Sequence, residues 1–280
     1  MKRALGFTGY FQLYAVPLDR IGFLDYCEKR DLFAAGGLGG IENLFDAWTR
    51  QGVRFHISDW RRDDDENLAR ALGAVRAGAE KVFVYTAALD AIRHDHAADL
   101  DAGAVRARLA GYAAAIRALH AALAASGRPF ALTVFSDHGM TPLVKTVDLQ
   151  AAVAATGLVF GRDYGACCDA TLYRVTYLAD RARRLIPAAL APFAADGRWL
   201  TEAEERALGI WRADRAFGDA IFLVNPGVQI VPSDMGLKPL GGMHGYDPAD
   251  EHSRAAILST EPVPGYVRHV ADYFKLMTGE

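Results

Sequence analysis

Residues 129–141 read Pro-Phe-Ala-Leu-Thr-Val-Phe-Ser-Asp-His-Gly-Met-Thr, an apolar run of strand length that ends in a polar turn. Apolar, β-branched and aromatic residues favour a strand, and Gly139 is a turn residue. Asp137 and His138 are therefore predicted to lie where a buried strand stops. Ligands of open α/β sheets bind at the carboxyl ends of strands. A carboxylate beside an imidazole there offers oxygen and nitrogen donors to a divalent metal.

Helix and strand patterns alternate on the amino-terminal side of this stretch. Apolar residues at helical or alternating spacing predict a helix over 41–50, a strand over 53–58, a helix over 67–77, a strand over 81–85 and a long helix over 105–123. Such alternation predicts an α/β fold, in which helices cover the faces of a mostly parallel sheet. His56 falls within a predicted strand and is interpreted as structural.

The pattern changes after Met140. Helices are predicted over 148–156, 181–195 and 202–208, the last with Thr201 and Glu204 at capping-box spacing, and a strand over 171–178. Two further strands, 220–224 and 228–231, are joined by Asn-Pro-Gly and predict a hairpin. Because these elements do not continue the alternation, residues 168–232 are predicted to form a small inserted α+β subdomain. A helix over 267–277 closes the chain.

Composition excludes several classes of protein. The chain has 280 residues, of which 51% are hydrophobic and 23% charged, and its formal net charge is −3. These values are typical of a globular protein and indicate no affinity for nucleic-acid polymers or anionic membranes. Three cysteines fit a reducing compartment. With no signal-peptide pattern and no run of about 20 apolar residues, a cytoplasmic location is expected.

Two further segments supply candidate metal ligands. Asp90 and His94 follow a predicted strand and are spaced to lie on one face of a helical turn. Such a pair is more often an exposed polar pair, but its position at the end of a strand matches that of Asp137 and His138. His244 lies in a run of glycines that lets the backbone approach closely. These five ligands are too many for one tetrahedral ion and fit two metal sites better.

The order and spacing of these motifs resemble the alkaline phosphatase superfamily, and within it the type I phosphodiesterase and nucleotide pyrophosphatase group. The motifs are Asp90-x-x-x-His94, Ser136-Asp137-His138-Gly139-Met140 and Gly242-Met243-His244-Gly245-Tyr246-Asp247-Pro248. The resemblance covers roughly residues 40–278. It implies a single domain over 1–280 whose core is a three-layer sandwich.

The resemblance also implies two divalent ions, with zinc expected, about 4 Å apart. Asp90, His94 and His244 would hold one ion, and Asp137 and His138 would belong to the other. His96 and Asp247 are candidates for orienting the ligand imidazoles.

The family's nucleophile is a Thr or Ser at a helix start that lies upstream of the matched motifs. No matching segment is found in this sequence, so the domain is expected to be incomplete at its amino terminus and the catalytic nucleophile is unknown. Thr8 is the only early hydroxyl near a turn, and it is disfavoured because activation of a hydroxyl requires a neighbouring base or metal.

The resemblance therefore predicts metal-dependent hydrolysis of phosphate esters, impaired if the nucleophile is absent. The alternatives are a truncated, non-catalytic metal-binding remnant, or sulfatase, phosphonate hydrolase or phosphomutase chemistry of the same superfamily. The expected partner is a phosphate-ester or nucleotide-like small molecule. A missing strand would leave a sheet edge uncovered, so a homodimer is also considered.

Overall fold

The computed structural model describes residues 6–9, 15–23, 30–99 and 101–279. Its α-helices are α1 (Leu44–Arg50), α2 (Asp64–Arg76), α3 (Ala88–Asp95), α4 (Gly103–Ala125), α5 (Leu149–Ala154), α6 (Asp180–Leu190), α7 (Glu202–Ala207) and α8 (Asp272–Thr278). Its strands are β1 (Phe55–Ile57), β2 (Lys81–Phe83), β3 (Thr133–Phe135), β4 (Thr141–Pro142), β5 (Lys145–Val147), β6 (Tyr164–Cys168), β7 (Leu172–Tyr177), β8 (Gly197–Trp199), β9 (Ala220–Val224), β10 (Val228–Ile230), β11 (Gly242–Met243) and β12 (Ile257–Ser259). The helices in these described ranges include none long and apolar enough to cross a membrane.

The chain divides into two compact units. Of the described residues, the first unit takes those within Met1–Phe11, Tyr26–Asp137 and Ala255–Glu280, and the second takes those within Gln12–Asp25 and His138–Arg254. The boundary thus falls between two adjacent predicted metal ligands, Asp137 and His138. The predicted subdomain 168–232 lies within the second unit, and its bounds remain a prediction.

The first unit contains the alternating helices and strands predicted from the sequence. β1 and β2 pair in parallel, whereas β3 pairs antiparallel with β12. α2 packs against α4 through buried Leu68, Ala71, Val75 and Leu119. β3 is shorter than the apolar run that contains it, and it is half-buried rather than buried, with Val134 37% exposed. The strand that leads to Asp137 therefore lies closer to solvent than its composition predicts.

Side-chain caps determine where several helices begin. Asn43 accepts hydrogen bonds from the backbone nitrogens of Phe45 and Asp46, so α1 begins at Leu44 and not at the predicted residue 41. In the second unit, α7 has the predicted capping box, in which Thr201 and Glu204 satisfy each other's backbone N–H groups. A short polar signature thus located one helix start correctly, while hydrophobic spacing alone misplaced the other.

The second unit is built on an antiparallel sheet with the strand order β6-β7-β9-β8. Two further pairs of strands complete this unit: β5 pairs in parallel with β10, and β4 pairs antiparallel with β11. The core of this unit is formed by fully buried apolar side chains from helices and strands together. These include Leu149, Val153, Val175, Ile186, Leu190, Phe222 and Ile230.

The predicted hairpin of residues 220–231 is wrong. Gly227, with a φ of +86°, does turn the chain, but β9 pairs with β7 and β8 whereas β10 pairs with β5. The carbonyl of Gly227 accepts hydrogen bonds from the backbone nitrogens of Val144 and Lys145, which directs the chain toward β5. All three residues of β10 are buried, which is typical of a strand covered on both faces.

His56 of β1 is expected to make the stability of the protein fall in mild acid. Its Nε2 atom is buried and has no hydrogen-bond partner among the described residues. Burial, and secondarily the positive charge of Arg70, lower the pKa of the imidazole below its usual value of 6.5. Below pH 6.5 the unfolded chain therefore binds a proton that the folded chain resists, so the free energy of unfolding decreases until the folded pKa is reached.

Thermal unfolding of the wild type and a His56→Leu variant between pH 7.5 and 5 measures this effect. The wild type is expected to lose more stability on acidification, because leucine cannot titrate. Parallel curves of Tm against pH for the two proteins would show that His56 does not contribute.

Candidate metal centre

Asp90 and His94 lie on one face of α3, the helix that follows β2. Their side chains approach to 3.5 Å between His94 Nε2 and Asp90 Oδ2, and the exposed fractions are 20% and 43%. The four-residue spacing therefore brings an imidazole and a carboxylate together at the carboxyl end of a parallel strand, as predicted. The first unit thus presents one pair of candidate ligands.

Asp137 follows β3 in the same unit. The loop that carries it is fixed by Ser136, whose backbone nitrogen donates to the carbonyl of Ala256 and whose hydroxyl accepts from the nitrogen of the same residue. Asp137 itself is exposed. Burial, and after it the charge of Asp137, raises the pKa of Tyr273. Asp137 lies two residues after the end of β3, as predicted, and its exposed carboxylate is accessible to a ligand.

His138 and His244 lie together in the second unit. Their rings are stacked, with centroids 3.7 Å apart and an interplanar angle of 16°, and one ring nitrogen of each lies within 4.8 Å of a ring nitrogen of the other. His138 Nδ1 lies 2.9 Å from the carbonyl oxygen of Gly139. When Nδ1 carries the proton and donates it to this carbonyl, Nε2 keeps its lone pair. A neutral imidazole with a free lone pair is the form of histidine that binds a metal.

The position of His244 is fixed from both sides. Before it, β11 pairs with β4, with Met243 opposite Thr141. After it, Gly245 adopts a φ of +89°, and its carbonyl accepts a hydrogen bond of 3.0 Å from the hydroxyl of Thr171. Residues other than glycine rarely adopt this positive φ, so the glycine after His244 helps to set the direction of the chain beside the ring.

The pairs Asp90/His94 and His138/His244 therefore consist of donor types that suit a borderline metal such as zinc. Residues 41–247, well over half of the chain, match the family model described as type I phosphodiesterase / nucleotide pyrophosphatase. The chain belongs to this family. The membership in the alkaline phosphatase superfamily that the motifs suggested is confirmed.

Solved structures support the same fold. The chain is similar to murine ectonucleotide pyrophosphatase / phosphodiesterase 5, with 16% identity and a TM-score of 0.66, over 82% of this chain and 66% of that one. An inactive variant of the murine protein, in complex with AMP, matches with 15% identity and a TM-score of 0.65, over 81% and 65% of the two chains. Phosphonoacetate hydrolase from Sinorhizobium meliloti, in complex with phosphonoformate, matches with 14% identity and a TM-score of 0.56, over 77% and 55%.

These similarities confirm the predicted α/β, alkaline phosphatase-like fold. The chain spans less than two thirds of the length of each of these structures. None of the curated proteins matched the chain in a sequence comparison.

The residues predicted to orient the ligands have contacts of their own. His96 is the C-cap of α3, and its carbonyl accepts a hydrogen bond from Arg93. The carboxylate of Asp247 accepts hydrogen bonds from the backbone nitrogen of Ala249 at 2.9 Å and from Arg198 at 2.8 Å, and these two contacts lower its pKa. Both side chains lie close in sequence to candidate ligands, and their orienting role remains a prediction.

Thr8, the disfavoured nucleophile, is held in a turn of the first unit. Its hydroxyl accepts a hydrogen bond of 3.2 Å from the backbone nitrogen of Asp31, and its carbonyl accepts one of 2.7 Å from Arg61. These contacts anchor Thr8 to neighbouring loops. Its low rank as a nucleophile remains a prediction.

Asp64 was missed by the sequence reasoning. It lies in the charged run Arg61-Arg62-Asp63-Asp64-Asp65-Glu66, in which the sequence gives no signal that sets one carboxylate apart. The side chain of Asp63 caps α2, but Asp64 is buried, with 8% of its surface exposed. A buried carboxylate needs hydrogen-bond donors, and two of those that Asp64 has are backbone nitrogens at the start of α3.

Proposed function

We propose that this chain carries out metal-dependent hydrolysis of phosphate esters, of the phosphodiesterase or nucleotide pyrophosphatase type. Membership in the family supports the reaction class. One observation carries the assignment to metal chemistry. Four of the five proposed ligands occur as close pairs, Asp90 with His94 in the first unit and His138 with His244 in the second.

The proposed centre holds two divalent ions, zinc in the first instance. Asp90, His94 and His244 would hold one ion, and Asp137 and His138 would belong to the other. Bound ions of this kind stabilise the charge on phosphoryl oxygens and activate the attacking group. The protein's own contribution is to hold the ligands, with His138 in the tautomer that its contact to the Gly139 carbonyl favours.

The proposed substrates are phosphate diesters or nucleotide-like small molecules. The murine protein was solved with AMP and the bacterial one with phosphonoformate. Both ligands carry a phosphate or phosphonate group. At their level of identity the likeness establishes the fold alone, and the substrate class is part of the proposal.

Metal analysis combined with turnover tests this function. Purified protein is expected to contain about two zinc ions per chain, to hydrolyse bis(p-nitrophenyl) phosphate, and to lose activity with a chelator and regain it with Zn²⁺. Less than one tightly bound metal per chain would contradict the metal centre. Bound metal without turnover of any ester would favour the non-catalytic remnant.

Parallel assays separate the other chemistries of the superfamily. Preference for p-nitrophenyl sulfate would indicate a sulfatase, release of phosphate from a phosphonate would indicate a phosphonate hydrolase, and intramolecular phosphate transfer would indicate a mutase. Preference for the diester over p-nitrophenyl phosphate is the result expected of a phosphodiesterase.

A further inference from the structure

The amino terminus of α3, the helix that carries Asp90 and His94, lacks a cap from its own sequence. Ala87 occupies the N-cap position and has no side chain that could accept a hydrogen bond. The first N–H groups of a helix have no partner within the helix and need acceptors from elsewhere. α3 has only eight residues, so the position of its first turn affects the whole element.

Asp64 of α2 supplies the missing acceptors. Its Oδ1 atom accepts a hydrogen bond of 3.1 Å from the backbone nitrogen of Ala87, and its Oδ2 atom accepts one of 3.0 Å from that of Ala88. A carboxylate at this place also interacts favourably with the helix dipole. Asp64 therefore caps the amino terminus of α3, although it belongs to α2 and not to α3.

Tyr112 of α4 holds the carboxylate in place. Its hydroxyl donates a hydrogen bond to Oδ2 of Asp64. Burial, and after it the neighbouring Asp64 carboxylate, raises the pKa of Tyr112 to about 12. The phenol is therefore protonated and able to donate at every pH at which the protein would function. Asp64 thus ties together α2, α3 and α4.

The neighbours of Asp64 do not share this arrangement. Asp63 is the N-cap of α2, and its side chain accepts a hydrogen bond from the backbone nitrogen of Glu66. The Asp65 side chain is 73% exposed and pairs with Arg108 of α4. Within the charged run, Asp64 is the buried carboxylate that contacts α3. Its burial and its bonds to two consecutive N–H groups indicate a specific role for this residue.

We propose that Asp64, supported by Tyr112, is a positioning residue for the metal centre. It holds the first turn of α3 and with it the ligands Asp90 and His94, although it does not itself touch a metal or substrate. Groups that orient metal ligands typically change metal affinity by about 10- to 100-fold when they are removed. This inference rests on the proposed function, because it requires α3 to carry metal ligands.

Metal affinity and the Co²⁺ spectrum test the proposal. Asp64→Ala is expected to weaken the binding of Zn²⁺, measured by competition with a chromophoric chelator, by about 10- to 100-fold. It is also expected to alter the visible d–d bands of the Co²⁺-loaded protein, which report ligand geometry. Asp64→Asn keeps one oxygen acceptor for the α3 nitrogens and is expected to restore part of both properties. Tyr112→Phe is expected to weaken binding less than Asp64→Ala.

Asp65→Ala is the matched control. It removes an acidic residue from the same helical turn, together with its ion pair to Arg108 of α4, but no bond to the α3 nitrogens. Since the Asp65 side chain is 73% exposed and solvent screens its charge, Zn²⁺ affinity is expected to stay within about twofold of the wild type. An equal loss of affinity in Asp65→Ala and Asp64→Ala would overturn the proposal, because it would indicate a general effect of α2.

The outcomes distinguish this inference from the proposed function. A wild-type chain that binds no metal would overturn both. Wild-type metal binding that a folded Asp64→Ala leaves unchanged would overturn the positioning role alone. If circular dichroism shows that Asp64→Ala does not fold, Asp64→Asn and Tyr112→Phe decide, and wild-type affinity and Co²⁺ bands in both would overturn the proposal.

Discussion

Replacement of His244 by alanine is expected to remove one metal ion per chain and to reduce diester hydrolysis by at least about 100-fold, since loss of an outer-sphere partner alone can cost that much. The proposed ligand set of that ion loses one of its two imidazoles, leaving Asp90 and His94. The ring of His244 also stacks on His138, so its loss removes a packing partner of a ligand of the second ion. Metal content by mass spectrometry and kcat/KM with bis(p-nitrophenyl) phosphate measure the effect.

A loss of metal can be separated from a loss of folding by linkage. An ion that binds only the folded chain raises Tm, so Zn²⁺ is expected to stabilise the wild type more than His244→Ala, whereas the two proteins are expected to unfold at similar temperatures in a chelator. His269→Ala is the matched control, because His269 is exposed and its backbone nitrogen, not its ring, bonds to Asp272. Full metal content in His244→Ala would show that this ring is not a ligand.

The sequence predicted elements whose signal is local. The long helix α4 follows from apolar spacing sustained over many turns, and α7 follows from the capping box of Thr201 and Glu204. β6 and β8 were not predicted. β6 contains Gly165, Ala166 and two cysteines, and it carries little of the β-branched character that marks a strand. Its partner β7 completes the ladder, which only tertiary structure reveals.

The candidate site divides in the same way. The pairing of Asp90 with His94 follows from helical geometry and could be predicted from spacing. The stacking of His138 on His244 joins residues far apart in the chain, and only the order of motifs in the family pointed to it. Asp64 could not be distinguished from its charged neighbours, because its burial depends on how α2, α3 and α4 pack. Residue spacing and capping signals in the sequence do not predict how these three helices pack.

Gly139→Ala is expected to destabilise the second unit and to displace His138. A Cβ atom at this position would lie 2.0 Å from the carbonyl oxygen of His252 and 3.0 Å from that of Arg254, so the backbone itself must move. The nitrogen of Gly139 also donates to the carbonyl of Ser253 at 3.2 Å, which holds the two segments together. Forced overpacking of this kind costs about 1–3 kcal/mol.

The same substitution tests the link between this contact and the metal centre. The carbonyl of Gly139 is the partner of His138 Nδ1, so a shift of the backbone rotates the ligand ring and should weaken Zn²⁺ binding together with stability.

Gly73→Ala is the control, and it is expected to change the free energy of unfolding in the opposite direction. Gly73 is exposed within α2 and has no atom within 4 Å of an added Cβ. Alanine there should therefore stabilise the protein by about 0.5–1 kcal/mol, as in other helix interiors. Wild-type Tm and Zn²⁺ affinity in Gly139→Ala would mean that the loop relaxes without cost, and the close approach of residues 139 and 252 would then not be what holds His138 in place.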